Sequence, residues 1–286
     1  MQPISTFSIV ARDPITGELG VAVQSKFLAV GSAVGWAKAG AGAIATQAMA
    51  NLDFGELGLI ILNKGYTASQ TMEALKALDP QIEDRQFGIV DHQGNAVTFT
   101  GKHCFDYAGG IAEENLACQG NILVSQKTVQ ALADTFKSTQ GSLARRLISA
   151  LDVAQSAGGD RRGRQSAALL VVKEGGSYGG FNDKYIDLRV DDDPEPIKQL
   201  EHLLSLHEMY FNKPLPGDII EVDSELAKRI QTTLKKLNYY TGEINGIYDE
   251  KTVASYHAFC GWENYEERII DAKHVDKMVI DVLFAK

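Results

Sequence analysis

The sequence predicts an α+β fold, in which helices cover an antiparallel or mixed sheet, followed by a small helical domain. Apolar residues in the first fifty positions recur at every second residue, which is typical of strands. After Asn51 they recur three and four residues apart, which is typical of helices. Strand-like and helix-like segments are grouped as strands, helices, strands, helices, strands, and this order disfavours a regular βαβ repeat.

The first elements are strands. Residues 6–12 and 19–26 predict a β-hairpin, because the turn PITGE separates two runs of β-branched and small residues. The runs VGSAVGWAKAG and AGAIATQA predict further strands.

Helices follow and the chain then returns to strands. GELGLIILNKG and TASQTMEALKALD predict two helices stacked on the sheet, the second with Thr67 as N-cap. RQFGIVDHQGNAVTFTG predicts two strands joined by a turn at residues 92–95. Residues 125–155 predict a helical region whose apolar face comprises Val129, Leu132, Ala133, Phe136, Leu143, Leu147 and Leu151.

The last part of the chain predicts a domain boundary. SAALLVVKEGGSYGGFNDKYIDLRV predicts a hairpin, and residues 194–211 predict a helix. KPLPGD then predicts a stiff spacer, since proline stands on both sides of Leu215. We therefore expect a domain over residues 1–212, a linker over 213–222 and a second domain over 223–286.

Composition narrows the class of protein. The formal net charge of −9 in 286 residues disfavours nucleic acid as a partner, because nonspecific nucleic-acid binding needs a surplus of lysine and arginine. No long apolar run or basic leader is present, so the sequence predicts a cytoplasmic protein without a membrane partner. The three cysteines predict reduced thiols, the six scattered histidines predict no metal site, and the glycine-rich stretches lack phosphate-loop spacing, so no cofactor is expected.

Several segments resemble a known family. TFSIVARDPITGELGVAV, AIATQAMAN, RQFGIVD, FTG, CQGN and GGDRRGRQSAALLVV are similar to the bacterial family of domain of unknown function 1028, over about residues 4 to 212. That family is similar in fold to the N-terminal-nucleophile (Ntn) hydrolases. The resemblance implies a four-layer αββα sandwich of the Ntn-hydrolase type, with a small C-terminal three-helix domain beyond it.

The resemblance also implies a nucleophile at the chain start. Members of the family usually begin with threonine directly after the initiator methionine, whereas the matching residue here is Thr6. Thr6 would become the nucleophile after removal of residues 1–5. Its free α-amine, with an ordinary pKa of about 7.7 to 8.0, would take the proton from its own hydroxyl. The implied substrate is an amide, and the alternative is that Thr6 is only the first residue of a strand.

Four polar residues are candidates to complete such a site. Lys26 and Ser25 end the second predicted strand, beside the start of the first. We assign Lys26 and Gln47 catalytic roles, and Ser25 and Asn51 roles in substrate binding, because acyl transfer needs donors for the oxyanion and a group that tunes the amine. The alternative for Lys26 is a solvent-facing strand end, and for Gln47 and Asn51 it is backbone capping of the next helix.

A second candidate is the polar cluster before the last hairpin. The substrate-binding residues assigned there are Asp160, Arg162, Gln165 and Ser166. An arginine here can hold a carboxylate in two-point geometry, which suits a small acidic substrate. Two alternatives are open: the cluster forms a salt-bridged loop, or the scaffold binds a small molecule without chemistry.

The C-terminal segment YYTGEINGIYDEKTVASYHAF is similar to the peptidoglycan-binding helical module of cell-wall amidases, with LAKRIQTTLKKL as the preceding helix. Asn245 stands where the usual aspartate precedes Gly246. The resemblance implies recognition of peptidoglycan fragments (muropeptides). A packing element that forms a homodimer is the alternative.

Overall fold

The computed structural model describes residues 6–286 of the chain. The chain divides into two compact units, the first ending at Leu204 and the second comprising Ser205–Lys286. All strand pairings among the described residues are antiparallel. The fold is therefore α+β with antiparallel sheets, as the grouping of periodicities predicts.

The first unit contains a six-stranded sheet in the order β10-β9-β2-β1-β8-β7. Its strands are β1 (Thr6–Arg12), β2 (Leu19–Ser25), β7 (Gly109–Glu113), β8 (Leu116–Asn121), β9 (Ser166–Val172) and β10 (Lys184–Val190). The predicted hairpin is confirmed, with Thr6 opposite Ser25 and Arg12 opposite Leu19. The final hairpin of β9 and β10 is confirmed as well.

A four-stranded sheet in the order β3-β4-β5-β6 completes the β-structure of this unit. Its strands are β3 (Gly35–Lys38), β4 (Gly42–Ala48), β5 (Arg85–Asp91) and β6 (Ala96–Thr100). The sequence predicted strands in both of these regions, from the runs VGSAVGWAKAG and AGAIATQA and from RQFGIVDHQGNAVTFTG. The structure contains them, and β3 pairs with β4, β4 with β5 and β5 with β6.

The helices of the first unit are α1 (Asp53–Asn63), α2 (Ala68–Leu78), α3 (Lys127–Ser138), α4 (Leu143–Ser156) and the start of α5 (Pro196–Phe211). Thr67 caps α2 as predicted. Its side chain accepts a hydrogen bond from the Gln70 backbone, and the Gln70 side chain accepts one from the Thr67 backbone. The predicted apolar face of α3 and α4 is buried.

Three apolar clusters show how the layers pack. One joins the six-stranded sheet to α3 and α4, through residues such as Phe7, Leu132 and Leu147. A second joins the four-stranded sheet to α1 and α2, around Phe54 and Phe87. The third contains side chains from both sheets, among them Val10, Val21, Ala45 and Val90. Since successive residues of a strand face opposite sides, each sheet buries one face against helices and the other within this third cluster.

The second unit contains α6 (Ser224–Lys236), α7 (Glu250–Trp262), α8 (Lys277–Ala285) and a two-stranded sheet of β11 (Ile219–Glu221) and β12 (His274–Asp276). Its core includes Ile230, Tyr256, Phe259 and Leu283. The three helices agree with the expected helical module. The sequence did not anticipate the small sheet, and β11 lies within the segment predicted as linker.

Candidate functional site

Thr6 is the first residue of β1 and lies between Ser25 of β2 and Asn121 of β8. The next residue, Phe7, belongs to the cluster beneath α3 and α4. Because side chains alternate along a strand, Thr6 faces the layer between the two sheets. Its side chain is fully buried, as are those of Ser25 and Gln47. The peptide bond that joins Ser5 to Thr6, predicted to be cleaved, lies outside the described residues.

The polar contacts of Thr6 bring three of the predicted site residues together. Thr6 Oγ1 donates to Ser25 Oγ at 3.2 Å. Gln47 Nε2 donates to the Thr6 carbonyl oxygen at 3.3 Å. Hence β1 and β2 of one sheet and β4 of the other each contribute a polar group to this position.

A buried polar network, formed by Ser8, Gln47, Gln86, Gln119 and Asn121, continues from Thr6 between the sheets. Ser8 Oγ donates to Gln47 Oε1 at 2.7 Å and accepts from Gln119 Nε2 at 2.7 Å. Gln86 Oε1 accepts from Gln47 Nε2 at 2.8 Å and from Asn121 Nδ2 at 2.9 Å. At most 1% of any of these residues is exposed. The inter-sheet layer is thus apolar around Val10 and Val21 and polar around Thr6.

Sequence reasoning missed Ser8, Gln86, Gln119 and Asn121. A signal was present, because each is a polar residue at a position of its strand that faces the same layer as Val10, Ala117 or Val90. A buried amide without partners is costly, so glutamines at such positions indicate partners on a facing element. Which residues those partners are can be known only from how the two sheets pack against each other.

Lys26 lies at the rim of the site. Its backbone N–H donates to Asp160 Oδ2 at 2.9 Å, and its side chain is exposed. Among residues 6–286 no hydrogen bond or ion pair joins its ammonium group to Thr6 or to a carboxylate. The structure therefore presents Lys26 as an available cation one residue beyond Ser25, and its predicted catalytic role stays a prediction.

Asp160 and Arg162 are bound to each other. Arg162 Nε lies 3.2 Å from Asp160 Oδ1 and Nη2 lies 3.0 Å from Oδ2, while the Arg162 backbone N–H also donates to Oδ1 at 2.9 Å. The carboxylate is fully buried. Because this carboxylate compensates the guanidinium charge, the geometry favours the salt-bridged loop over capture of a substrate carboxylate by Arg162.

The remaining predicted binding residues have partners within the fold. Ser166 Oγ donates to the Phe27 carbonyl oxygen and accepts from Val30 N, which fixes the loop after β2. Gln165 Nε2 donates to Asp192 Oδ1 at 3.0 Å, and Gln165 N donates to the Ser25 carbonyl oxygen at 3.1 Å. Gln165 and Ser166 therefore hold the end of β2 and the loop that follows it in place.

Asn51 lies directly before Leu52, the N-cap residue of α1, and bonds to the first residue of the helix. Asp53 N donates to Asn51 Oδ1 at 3.2 Å, and Asn51 Nδ2 donates to Asp79 Oδ2 at 3.0 Å. These contacts agree with the alternative that Asn51 bonds the backbone at the start of the next helix, and they direct its side chain to Asp53 and Asp79.

The backbone is strained beside two of the network amides. Ala48, directly after Gln47, has φ 65°, and Ile122, directly after Asn121, has φ 51°. Residues other than glycine rarely adopt this left-handed conformation, and such residues concentrate at functional sites. The strands β4 and β8, which carry Gln47 and Asn121, thus both end at a residue with a Cβ atom in the left-handed conformation.

Burial holds the three cysteine thiols in their neutral form. Burial raises the pKa of Cys104 to about 11 and that of Cys260 to about 12, and it raises that of Cys118 still further. Within residues 6–286 no group of three or more His, Cys, Asp or Glu side chains is placed to hold a metal ion. None of the helices in that range is long and apolar enough to cross a membrane.

Comparison with known proteins gives the family. Residues 6–200 match the family model DUF1028, described as a family of unknown function, and residues 210–283 match the model of the peptidoglycan-binding-2 domain. A crystal structure of a DUF1028 protein from Silicibacter pomeroyi is similar, with 31% sequence identity and a TM-score of 0.65. The match covers 71% of this chain and 89% of that one. No curated protein matches the chain. The chain thus belongs to the DUF1028 family and carries a peptidoglycan-binding-2 domain at its C-terminal end.

Proposed function

We propose that this protein is an Ntn-type hydrolase that cleaves an amide bond of a small, acidic substrate, with Thr6 as nucleophile after removal of residues 1–5. The observation that carries the proposal is the position of Thr6. Its hydroxyl is buried between two antiparallel sheets and bonded to Ser25 Oγ at 3.2 Å, while Gln47 donates to the Thr6 carbonyl oxygen and Asn121 lies opposite Thr6 in β8. A threonine that acts as nucleophile needs polar groups around its hydroxyl and around the developing oxyanion.

The packing supports the finer fold assignment that the reaction needs. The three apolar clusters lie between helices and sheet, between sheet and sheet, and between sheet and helices. We propose that this is the αββα sandwich of the Ntn hydrolases. In such a scaffold the first residue of a central strand lies at the end of the inter-sheet layer, where Thr6 is found.

The proposed chemistry uses one residue as both base and nucleophile. The free α-amine of Thr6 accepts the hydroxyl proton as Oγ1 attacks the substrate carbonyl carbon. The C–N bond then breaks, the leaving amine takes the proton, and an ester joins the acyl group to Thr6. Water hydrolyses this ester and restores the hydroxyl. The Ser25 hydroxyl and the amides of Gln47 and Asn121 supply polar groups around the reacting atoms.

Two cations at the rim support an acidic substrate. Lys26 follows Ser25, and Arg161 N donates to the carbonyl oxygen of Ile122, which follows Asn121. The Arg161 guanidinium donates to the carbonyl oxygens of Asp106 and Leu123. Among the described residues, no carboxylate is bonded to either side-chain cation. We therefore propose Lys26 and Arg161, in place of Arg162, as the groups that attract a substrate carboxylate.

For the second unit we propose recognition of peptidoglycan fragments, on the strength of the domain match at residues 210–283. Gln231 holds the loop after α6: its Nε2 donates to Asn245 Oδ1 at 3.0 Å and to the Ile247 carbonyl oxygen at 2.9 Å. The loop presents the exposed side chains of Ile244 and Ile247. Retention of the protein on purified cell-wall sacculi supports this role, and absence of retention removes it.

The hydrolase proposal is tested with a panel of acidic amides, by measuring the amine that the purified protein releases. The wild type is expected to hydrolyse at least one member, Thr6→Ser to retain part of the rate and Thr6→Ala to lose it. Full activity in Thr6→Ala would exclude Thr6 as nucleophile. Lys26→Met is expected to raise KM more than it lowers kcat, since Lys26 attracts the substrate in this account.

A further inference from the structure

Gln86 is the most highly connected side chain of the polar network. It lies on β5 opposite Gln47 of β4, is fully buried, and faces the six-stranded sheet. Sequence reasoning gave it no role. It is bonded to Gln47, which donates to the Thr6 carbonyl oxygen, and to Asn121, which lies opposite Thr6 in β8. The proposed chemistry gives Gln86 itself no role.

The Gln86 amide is held at both ends. Its oxygen accepts from Gln47 Nε2 at 2.8 Å and from Asn121 Nδ2 at 2.9 Å. Its nitrogen donates to the Gly120 carbonyl oxygen at 2.8 Å and to Thr100 Oγ1 at 2.9 Å. A flipped amide would place its oxygen against the Gly120 carbonyl and its nitrogen against two donors. One orientation is therefore fixed.

We infer that Gln86 is the positioning residue of the Thr6 site, and this inference rests on the proposed function. Gln47 Nε2 donates both to Gln86 and to the Thr6 carbonyl oxygen, so the oxygen of Gln86 determines where the Gln47 amide points. Asn121 is bound by the same oxygen and lies opposite Thr6 in β8. One acceptor on the four-stranded sheet thus orients polar groups on two strands around the nucleophile.

Removing that acceptor has a consequence distinct from loss of stability. Gln86→Met keeps the length and apolar volume of the side chain but leaves Gln47 Nε2 and Asn121 Nδ2 without their common partner. Both amides then gain rotational freedom, and the reacting geometry at Thr6 loosens. Gln86→Glu is the conservative variant, because a carboxyl group that is protonated by burial keeps an acceptor oxygen and gains an O–H donor for the Gly120 carbonyl.

Gln24 offers a matched control. It is also a fully buried glutamine in a strand, one residue before Ser25, and it pairs with Phe7 on the helix-facing side of the sheet. Neither its side-chain oxygen nor its nitrogen has a partner among the described residues. Gln24→Met therefore changes a buried glutamine to methionine next to the site without touching the polar network.

The first measurement is hydrogen exchange of the Gln47 and Asn121 side-chain amides by NMR on the full chain, which needs no substrate. We expect exchange of both amides to accelerate about tenfold or more in Gln86→Met, because they lose the Gln86 oxygen to which both are bonded. Exchange stays near the wild-type rate in Gln86→Glu and Gln24→Met. Unchanged exchange in a folded Gln86→Met protein, or equal acceleration in Gln24→Met, overturns the positioning role.

The second measurement is the rate at which a β-lactone acylates Thr6 in the protein from which residues 1–5 have been lost. Thr6 Oγ1 attacks the lactone carbonyl, the ring C–O bond breaks, and the released oxygen takes the proton, so the adduct carries the full probe mass. We expect the maximal rate to fall about tenfold in Gln86→Met with unchanged probe affinity, and to recover in Gln86→Glu. A wild-type protein that is not acylated contradicts the proposed function, whereas the exchange data still decide the role of Gln86.

Discussion

The Asp160 carboxylate and the Arg162 guanidinium form a two-point ion pair, with N···O distances of 3.2 Å and 3.0 Å. The same carboxylate accepts the backbone N–H of Lys26 at 2.9 Å. The pair therefore ties the end of β2, where Ser25 contacts Thr6, to the loop that precedes β9. Its main effect is to hold the rim of the site in place.

This role predicts unequal effects for the two partners. Asp160→Ala removes an acceptor shared by Arg162 and two backbone N–H groups, and we expect a loss of about 3 kcal/mol in the free energy of unfolding. Arg162→Ala should cost about 1 kcal/mol, because the backbone donors remain on the carboxylate and the arginine is partly exposed. Urea unfolding of the two variants checks this order, and a larger loss in Arg162→Ala would contradict it.

The left-handed backbone at Ala48 predicts a stabilising glycine. Ala48 has φ 65°, a conformation that costs a residue with a Cβ about 1 to 2 kcal/mol. We expect Ala48→Gly to raise the free energy of unfolding, and Ala45→Gly, at a buried position of the same strand, to lower it by about 1 kcal/mol. Denaturant midpoints measured in parallel test the contrast. Destabilisation of both variants to the same extent would show that Ala48 stores no strain.

The second unit depends on a buried ion pair. Arg268 Nη1 lies 2.7 Å from Asp276 Oδ2, and only 4% of the arginine side chain and 0% of the aspartate side chain are exposed. Arg268 also donates to the backbone carbonyl oxygens of Met209 and Glu208. Arg268→Met leaves the aspartate buried without its counterion, and we expect a loss of about 3 to 5 kcal/mol.

Hydrogen exchange of α8 and β12 measures this loss within the second unit. Glu263→Gln is the control, since the Lys286–Glu263 pair is partly exposed and is expected to contribute little to stability. Slow exchange that persists in α8 of Arg268→Met would contradict the prediction.

Asp79 predicts a pH dependence at the acidic end. Desolvation raises the pKa of Asp79, but hydrogen bonds from Arg85 and Asn51 outweigh it, so the pKa lies below its ordinary value of 3.8. A carboxyl group with a depressed pKa in the folded state contributes stability that is complete above the unfolded pKa and is lost as the pH falls through the folded pKa. We expect wild-type stability to fall below about pH 4 more steeply than that of Asp79→Asn. Unfolding curves measured between about pH 2 and pH 6 test this difference. The slopes of the unfolding free energy against pH should differ by no more than the uptake of about one proton.

The local elements could be predicted because their causes are local. The β1–β2 hairpin follows from its turn and period-two pattern, and the α2 start follows from Thr67 and the glutamine three residues later. Strand β7 was missed, since Gly109–Glu113 is short, partly exposed and begins with two glycines. The position of β7 is determined by its pairing with β8. The residues of β7 show no periodicity that would reveal this pairing.

The site could be predicted only in part for a similar reason. Thr6, Ser25 and Gln47 were found through a hairpin and a family resemblance, and the structure brings them together. The contacts of Gln86 with Asn121 and of Gln119 with Ser8 span 35 and 111 residues, respectively. Such contacts depend on how one sheet faces the other. Arg162 forms an ion pair with Asp160, which lies only two residues earlier in the chain. The sequence therefore already contained the partner that favours a structural role for Arg162.

The most direct test is the intact mass of the protein purified from its native host. If Thr6 is a nucleophile with a free α-amine, the measured mass corresponds to a chain that begins at Thr6. If the cleavage also depends on the Thr6 hydroxyl, the Thr6→Ala protein keeps residues 1–5. A wild-type chain that retains Ser5 joined to Thr6 leaves an amide nitrogen in place of the base. That result would contradict the proposed mechanism.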